Sequence, residues 1–163
     1  MLIFFFAGLI LITALDQLCK LAAVRELMQV GTIPVIPDVF HLTYCENSGA
    51  GFGVFASYTT VLSVLTLLII IAAIVYVVVK RPKHRLFITA LTFMVGGAIG
   101  NLIDRIRLGY VVDFLDFRWI HFPIFNIADC FITVGAVMFA IYVIFLSEKK
   151  EQTDGNDKGR ADG

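Results

Sequence analysis

Four apolar stretches dominate the chain, each about as long as the roughly 20 residues that a helix needs to cross a hydrocarbon layer about 30 Å thick. They cover about 2–23, 58–79, 86–103 and 126–146. The second carries no charge. The first is interrupted late by Asp16, Gln17 and Lys20, the third stops at Asp104-Arg105, and the fourth ends at Ser147-Glu148-Lys149-Lys150. Two segments of different character lie between them. Residues 24–57 contain alternating stretches such as Val39-Phe40-His41-Leu42-Thr43-Tyr44, bounded by Pro34, Pro37 and glycines, the pattern of a small sheet. Residues 106–125 include the strand-like Tyr110-Val111-Val112-Asp113-Phe114, then Trp119, Phe122 and Phe125, which suit a membrane–water boundary. The expected fold is an all-α membrane protein with four transmembrane helices and a small extracytoplasmic β-sheet region. Residues 1–150 read as one integral-membrane domain, and the polar, glycine-dotted 151–163 as a disordered tail.

Composition removes the soluble alternatives. Of 163 residues 59% are hydrophobic and 16% charged, with a mean hydropathy of +0.88, more apolar surface than a water-soluble domain of this size can bury. Thirteen cations balance thirteen anions, so no basic surface for nucleic acid is expected. Cys19, Cys45 and Cys130 are too scattered for a disulfide scaffold or a zinc cage; Cys45 and Cys130 could meet, although small apolar filler is the simpler reading. The first stretch lacks a positive amino-terminal region and a small-residue cleavage site, so it reads as a retained helix. Lysine and arginine placement sets the orientation. Lys80-Arg81-Pro82-Lys83-His84-Arg85 and Lys149-Lys150 belong on the cytoplasmic side, which puts both termini inside.

In that orientation the polar interruptions reach one layer near the outer face. Asp16 and Lys20 end the first helix, Asn101, Asp104 and Arg105 the third, Asn126 and Asp129 open the fourth, and Asp113 lies in the loop between the last two. Charges at membrane depth are costly and normally face a bundle interior or a water pocket. Asp16 and Lys20 stand four apart, Asn101 and Asp104 three apart, and Asn126 and Asp129 three apart, so each pair shares a helix face. Gly96 and Gly100 form a small-xxx-small step that lets another helix come close.

Chemistry follows by elimination. His41, His84 and His121 are isolated, and His-Glu-x-x-His, Gly-x-Ser-x-Gly and Cys-x-x-Cys are absent. Carboxylates remain. Two aspartates sharing a site split their titrations, so one keeps a proton while the other is charged. Such a pair can deprotonate a water, direct it at an amide carbonyl and protonate the leaving nitrogen. Asp113 and Asp129, each in an apolar setting, are the expected pair, and this chemistry requires neither metal nor cofactor. Plainer roles compete: Asp16 with Lys20 as a structural ion pair, Asp104 beside Arg105 as a tie from helix end to sheet, Asp129 as a helix-start carboxylate. Asp116, alternating with aromatics, is expected to face water.

Five blocks in order resemble the lipoprotein signal peptidases, also called signal peptidase II. They are Asp16 with Lys20; Asn47-Ser48-Gly49-Ala50-Gly51-Phe52-Gly53; Gly96 through Asn101 to Asp104-Arg105; Val111-Val112-Asp113-Phe114; and Phe125-Asn126-Ile127-Ala128-Asp129. The resemblance implies an aspartic endopeptidase of the bacterial inner membrane, with its site near the outer face; nothing in the sequence demands more than a monomer. It would cleave diacylglyceryl-modified prolipoproteins just before the lipidated cysteine, in contact with membrane lipids. By the same resemblance Asp113 and Asp129 are catalytic, Asn47, Gly49, Asn101, Arg105 and Asn126 line the pocket, and Asp16, Lys20 and Asp104 support it. Gly51 departs from the alanine of many members. The alternative from another class is a proton-coupled small membrane transporter, against which stand the lack of an internal repeat and of any acid in the middle of a span.

Overall fold

The structure, a computed structural model, describes residues 1–49 and 56–146. Gly51 and its neighbours in 50–55, and the expected tail within 147–163, lie outside the described residues. The order is helix α1 (Leu2–Leu27), strands β1 (Thr32–Ile36) and β2 (Phe40–Asn47), helices α2 (Ala56–Lys80) and α3 (Arg85–Leu108), strand β3 (Val111–Phe117), a 3-10 turn (Arg118–Ile120) and helix α4 (Ile127–Phe145). All four α-helices are long and apolar enough to cross a membrane.

The helices outrun the spans expected from hydropathy. α1 continues through Val24 to Leu27 and α3 through Asp104-Arg105 to Leu108. A charge ends a hydrophobic run, but it leaves the backbone hydrogen-bond ladder intact, and Ala23 and Leu27 are buried against Val112 and Phe114. What stops α3 is Gly109, whose φ of +83° lets its N–H bond back to the Arg105 carbonyl.

α3 is the inner helix: 56% of its most apolar window is buried, against 11–22% for the other three. Its small residues explain this. A methyl on Gly96 would press on Ile12 and one on Gly100 on the Asp16 carboxylate, so these two glycines admit α1; Gly97 instead admits α4 at the Ala128 carbonyl. Phe5 and Leu9 of α1, Ile70 and Val77 of α2, and Val95 and Leu102 of α3 form the apolar core. On α1, Ile3, Phe4, Ile10 and Leu11 stand 70–82% exposed, as side chains facing lipid should.

The three strands form one antiparallel sheet with β2 in the middle, in the order β1-β2-β3, resting on the end of α1. A register shift between Leu42 and Cys45 sets Cys45 opposite Asp113 and Asn47 opposite Val111. The 3-10 turn and the segment after it return the chain to the sheet, where the Phe125 carbonyl accepts the N–H groups of Phe114 and Leu115. That bridge delivers Asn126 beside Asp113. Asp116 departs from expectation: it is buried, accepting from Thr43 Oγ1 at 2.8 Å and Arg118 Nε at 2.9 Å. Burial alone would raise its pKa, but the bonds to Arg118 and Thr43 and the nearby cations outweigh it and hold the carboxyl below its ordinary range. Cys19, Cys45 and Cys130 are free thiols.

Candidate active site

The polar residues singled out from the sequence meet at the sheet end of the bundle. Lys20 Nζ reaches Asp16 Oδ2 at 2.9 Å, as the four-residue spacing requires, and also Asp104 Oδ2 at 2.9 Å and Asn101 Oδ1 at 2.8 Å on α3. Lys20 and both carboxylates are almost wholly buried. Such a group persists only when each charge is paired and each remaining lone pair is bonded. One cation serves both carboxylates, and backbone donors supplement it: Asp16 Oδ1 accepts the Ala128 N–H at 3.0 Å, and Asp104 Oδ2 accepts the Val112 N–H at 3.2 Å. One carboxylate therefore ties α1 to the start of α4, and the other ties α3 to β3.

Asn126 joins the two expected aspartates. As N-cap of α4 it accepts the Asp129 N–H at 3.0 Å while Asp129 Oδ2 accepts the Asn126 N–H at 3.2 Å, a reciprocal capping box. Its Nδ2 then donates to Asp113 Oδ1 at 2.6 Å and to Asn101 Oδ1 at 3.1 Å. Asn101 Nδ2 donates to Asp129 Oδ1 at 2.8 Å. On the far side Asn47 Nδ2 donates to Asp113 Oδ2 at 2.8 Å, and the Gly49 N–H holds Asn47 Oδ1 at 2.9 Å, leaving that amide only one way to point. Gly49 sits at φ +78° with Leu62 where a Cβ would go.

The two carboxyls differ in setting. Asp113 is 1% exposed, whereas Asp129 is half-buried. Burial pushes the Asp113 carboxyl from 3.8 up to about 6; the bonds from Asn47 and Asn126 pull the other way, and the Asp129 charge adds to the rise. Asp129 faces a cavity of about 360 Å³ whose polar rim is Asn101, Arg105 and Asp129 and whose wall is apolar, including Ile70, Ala73 and Met94. Arg105 joins none of the bonds above; its buried Nε has no partner among the described residues.

One member escaped sequence reasoning. Gln17 Nε2 donates to Asp104 Oδ1 at 2.9 Å and to the Gly100 carbonyl at 3.2 Å, locking α1 onto α3. The signal was an amide beside an aspartate inside an apolar span.

A model of the family described as signal peptidase (SPase) II matches residues 8–145. The chain belongs to the signal peptidase II family. It is 48% identical to the lipoprotein signal peptidase of Caldanaerobacter subterraneus subsp. tengcongensis, over 80% of this chain and 89% of the relative. To that of Clostridioides difficile it is 44% identical, over 86% and 95%. A bacterial membrane enzyme solved by the in meso method at 1.9 Å superposes with a TM-score of 0.78 at 29% identity, covering 88% of this chain and 94% of that one. This signal peptidase II member is thus an aspartic peptidase in a multi-pass membrane fold, and nothing among these relatives supports the transporter reading.

Proposed function

We propose that this protein removes the signal peptide from diacylglyceryl-modified prolipoproteins, cutting just before the lipidated cysteine, with Asp113 and Asp129 as its acid and base. The observation that carries the pairing is Asn126, which bonds both carboxyls at once and leaves each with lone pairs free. Asp113, buried and raised to about 6, holds the proton. Asp129, half-buried and facing the cavity, is placed to act as the base.

Asp129 takes a proton from a water, whose oxygen attacks the scissile carbonyl carbon while Asp113 protonates the carbonyl oxygen. The resulting gem-diol collapses: Asp129 gives its proton to the leaving nitrogen, the C–N bond breaks, and a hydroxyl proton returns to Asp113. Asn101, Asn126 and Asn47 orient the carboxyls, Gly49 fixes Asn47, and Arg105 lines the cavity beside Asp129 as the cation nearest an entering substrate. Asp16, Lys20 and Asp104 act through position alone. The substrate's acyl chains stay in the bilayer while its peptide bond enters the polar layer.

The chain works as a single membrane domain and as a monomer in the bacterial inner membrane, its site near the outer face. The deciding experiment is cleavage of a diacylglyceryl prolipoprotein by purified protein in detergent. Asp113→Asn and Asp129→Asn, folded by thermal melting, should each lose about 10²–10⁴-fold or more. Normal cutting by either variant would overturn the pair; an inactive wild type would overturn the substrate.

A further inference from the structure

The end of the bundle opposite the aspartates carries a second built feature. The α2–α3 turn contains Lys80, Arg81, Lys83 and Arg85, and among the described residues none of these cations forms an ion pair. The described carboxylates all belong to the sheet end. Two apolar cavities open beside this turn. One, about 480 Å³, lies between α1 and α3, with Phe4, Gly8 and Phe93 in its wall and Arg85 at its edge. The other, about 450 Å³, lies between the first turn of α1 and the α2–α3 turn, with Leu2 and Val77 in its wall and Arg81 and Lys83 at its edge. Met1 and Ile88 line both, so the cavities are neighbours around the first turn of α1.

The buried hydroxyl inside is already partnered: Thr92 Oγ1 donates to the Ile88 carbonyl at 2.7 Å. Arg81 adds an independent sign. It ends α2 by donating its N–H to the Val77 carbonyl, at a φ of +45°, the left-handed region that glycine occupies at less cost. A long cation thus stands at a left-handed backbone position, and strained residues of this kind collect at functional positions.

We propose that this end binds one anionic two-chain phospholipid. Its phosphate sits on Arg81, Lys83 and Arg85, and one acyl chain enters each cavity. Basic pockets between spanning helices take anionic headgroups, whereas a zwitterionic head brings its own ammonium to the cations. The site is separate from the aspartates and does not depend on their role.

The test uses the full chain in neutral detergent, with lipid binding read by native mass spectrometry and thermal shift. Phosphatidylglycerol should bind tighter than phosphatidylcholine of the same chains by about 30-fold to 150-fold, the range for two or three near-surface cations. The combined Arg81→Gln, Lys83→Gln and Arg85→Gln variant should abolish that preference. If it does not fold, Lys83→Gln and Arg85→Gln singly, neither of which has the left-handed backbone of Arg81, should each lower it. Thr89→Trp, which fills the cavity between α1 and α3, should weaken phosphatidylglycerol binding with all charges kept. Equal binding of the two lipids, an equal thermal shift from inorganic phosphate, or unchanged binding in these variants would overturn the proposal.

Discussion

Lys20 bonds two buried carboxylates at once, which makes it the residue whose loss should be felt most widely. Lys20→Met leaves Asp16 and Asp104 buried without their cation, and removing one partner of a buried pair costs about 3–5 kcal/mol. Thermal melting in detergent should show that loss, and Asp16→Asn added to Lys20→Met should recover part of it; a double variant worse than the single would contradict the pairing. On the proposed mechanism Asp113 governs the pH dependence. Its carboxyl keeps its proton to about pH 6 in the folded protein, against 3.8 ordinarily. The stabilisation from holding that proton is complete below about 3.8 and is lost as pH rises through about 6. The alkaline limb of kcat/KM, which reports the free enzyme, is therefore expected at or above pH 6, since surrounding lipid takes away more water. A limb near pH 4 would count against Asp113 as the acid.

At the scale of elements, the site exists because α3 lets two helices come close. Gly100→Ala drives a methyl into the Asp16 carboxylate, and Gly97→Ala drives one into the Ala128 carbonyl. Overpacking of this kind costs about 1–3 kcal/mol, and both shifts move the start of α4, where Asp129 sits. Both variants should lose more activity than their melting temperatures suggest. Gly31→Ala, strained at φ +80° but with nothing within 4 Å of its Cβ, should cost stability and spare kcat. Equal behaviour of the three in paired melting and cleavage assays would remove the link between helix approach and the site.

Across the whole molecule, the described carboxylates sit at one end, and the other end carries the cations of Lys80 to Arg85, unpaired among the described residues. Met1, the α2–α3 turn and the end of α4 lie together, the last held by His84 against Tyr142 with ring centroids 4.7 Å apart. The sheet and the aspartates occupy the other end. With lysine and arginine retained inside, Lys83→Cys should react with an impermeant thiol reagent only in opened cells, and Asp38→Cys in intact ones. The reverse pattern would invert the proposed orientation.

Much of this was legible in the chain because it is local. Hydropathy and helix length mark four spans, the interval of three between Asn126 and Asp129 is a capping box, and the interval of four between Asp16 and Lys20 is an ion pair. Those relations close within one helical turn and need no tertiary knowledge. The rest spans the chain. The bond from Ala128 to Asp16 joins residues 112 apart, and that from Lys20 to Asn101 joins residues 81 apart. Asp116 is buried where alternation with aromatics implied exposure, because β3 is covered on both faces and Arg118 and Thr43 compensate its charge. Gln17 looked like an interruption until α3 supplied Asp104 and the Gly100 carbonyl. Sequence by itself determined which residues are polar at membrane depth and which helix face each occupies. Only the tertiary structure decided which of them touch, because a contact between distant segments depends on how closely backbones approach and on strand register.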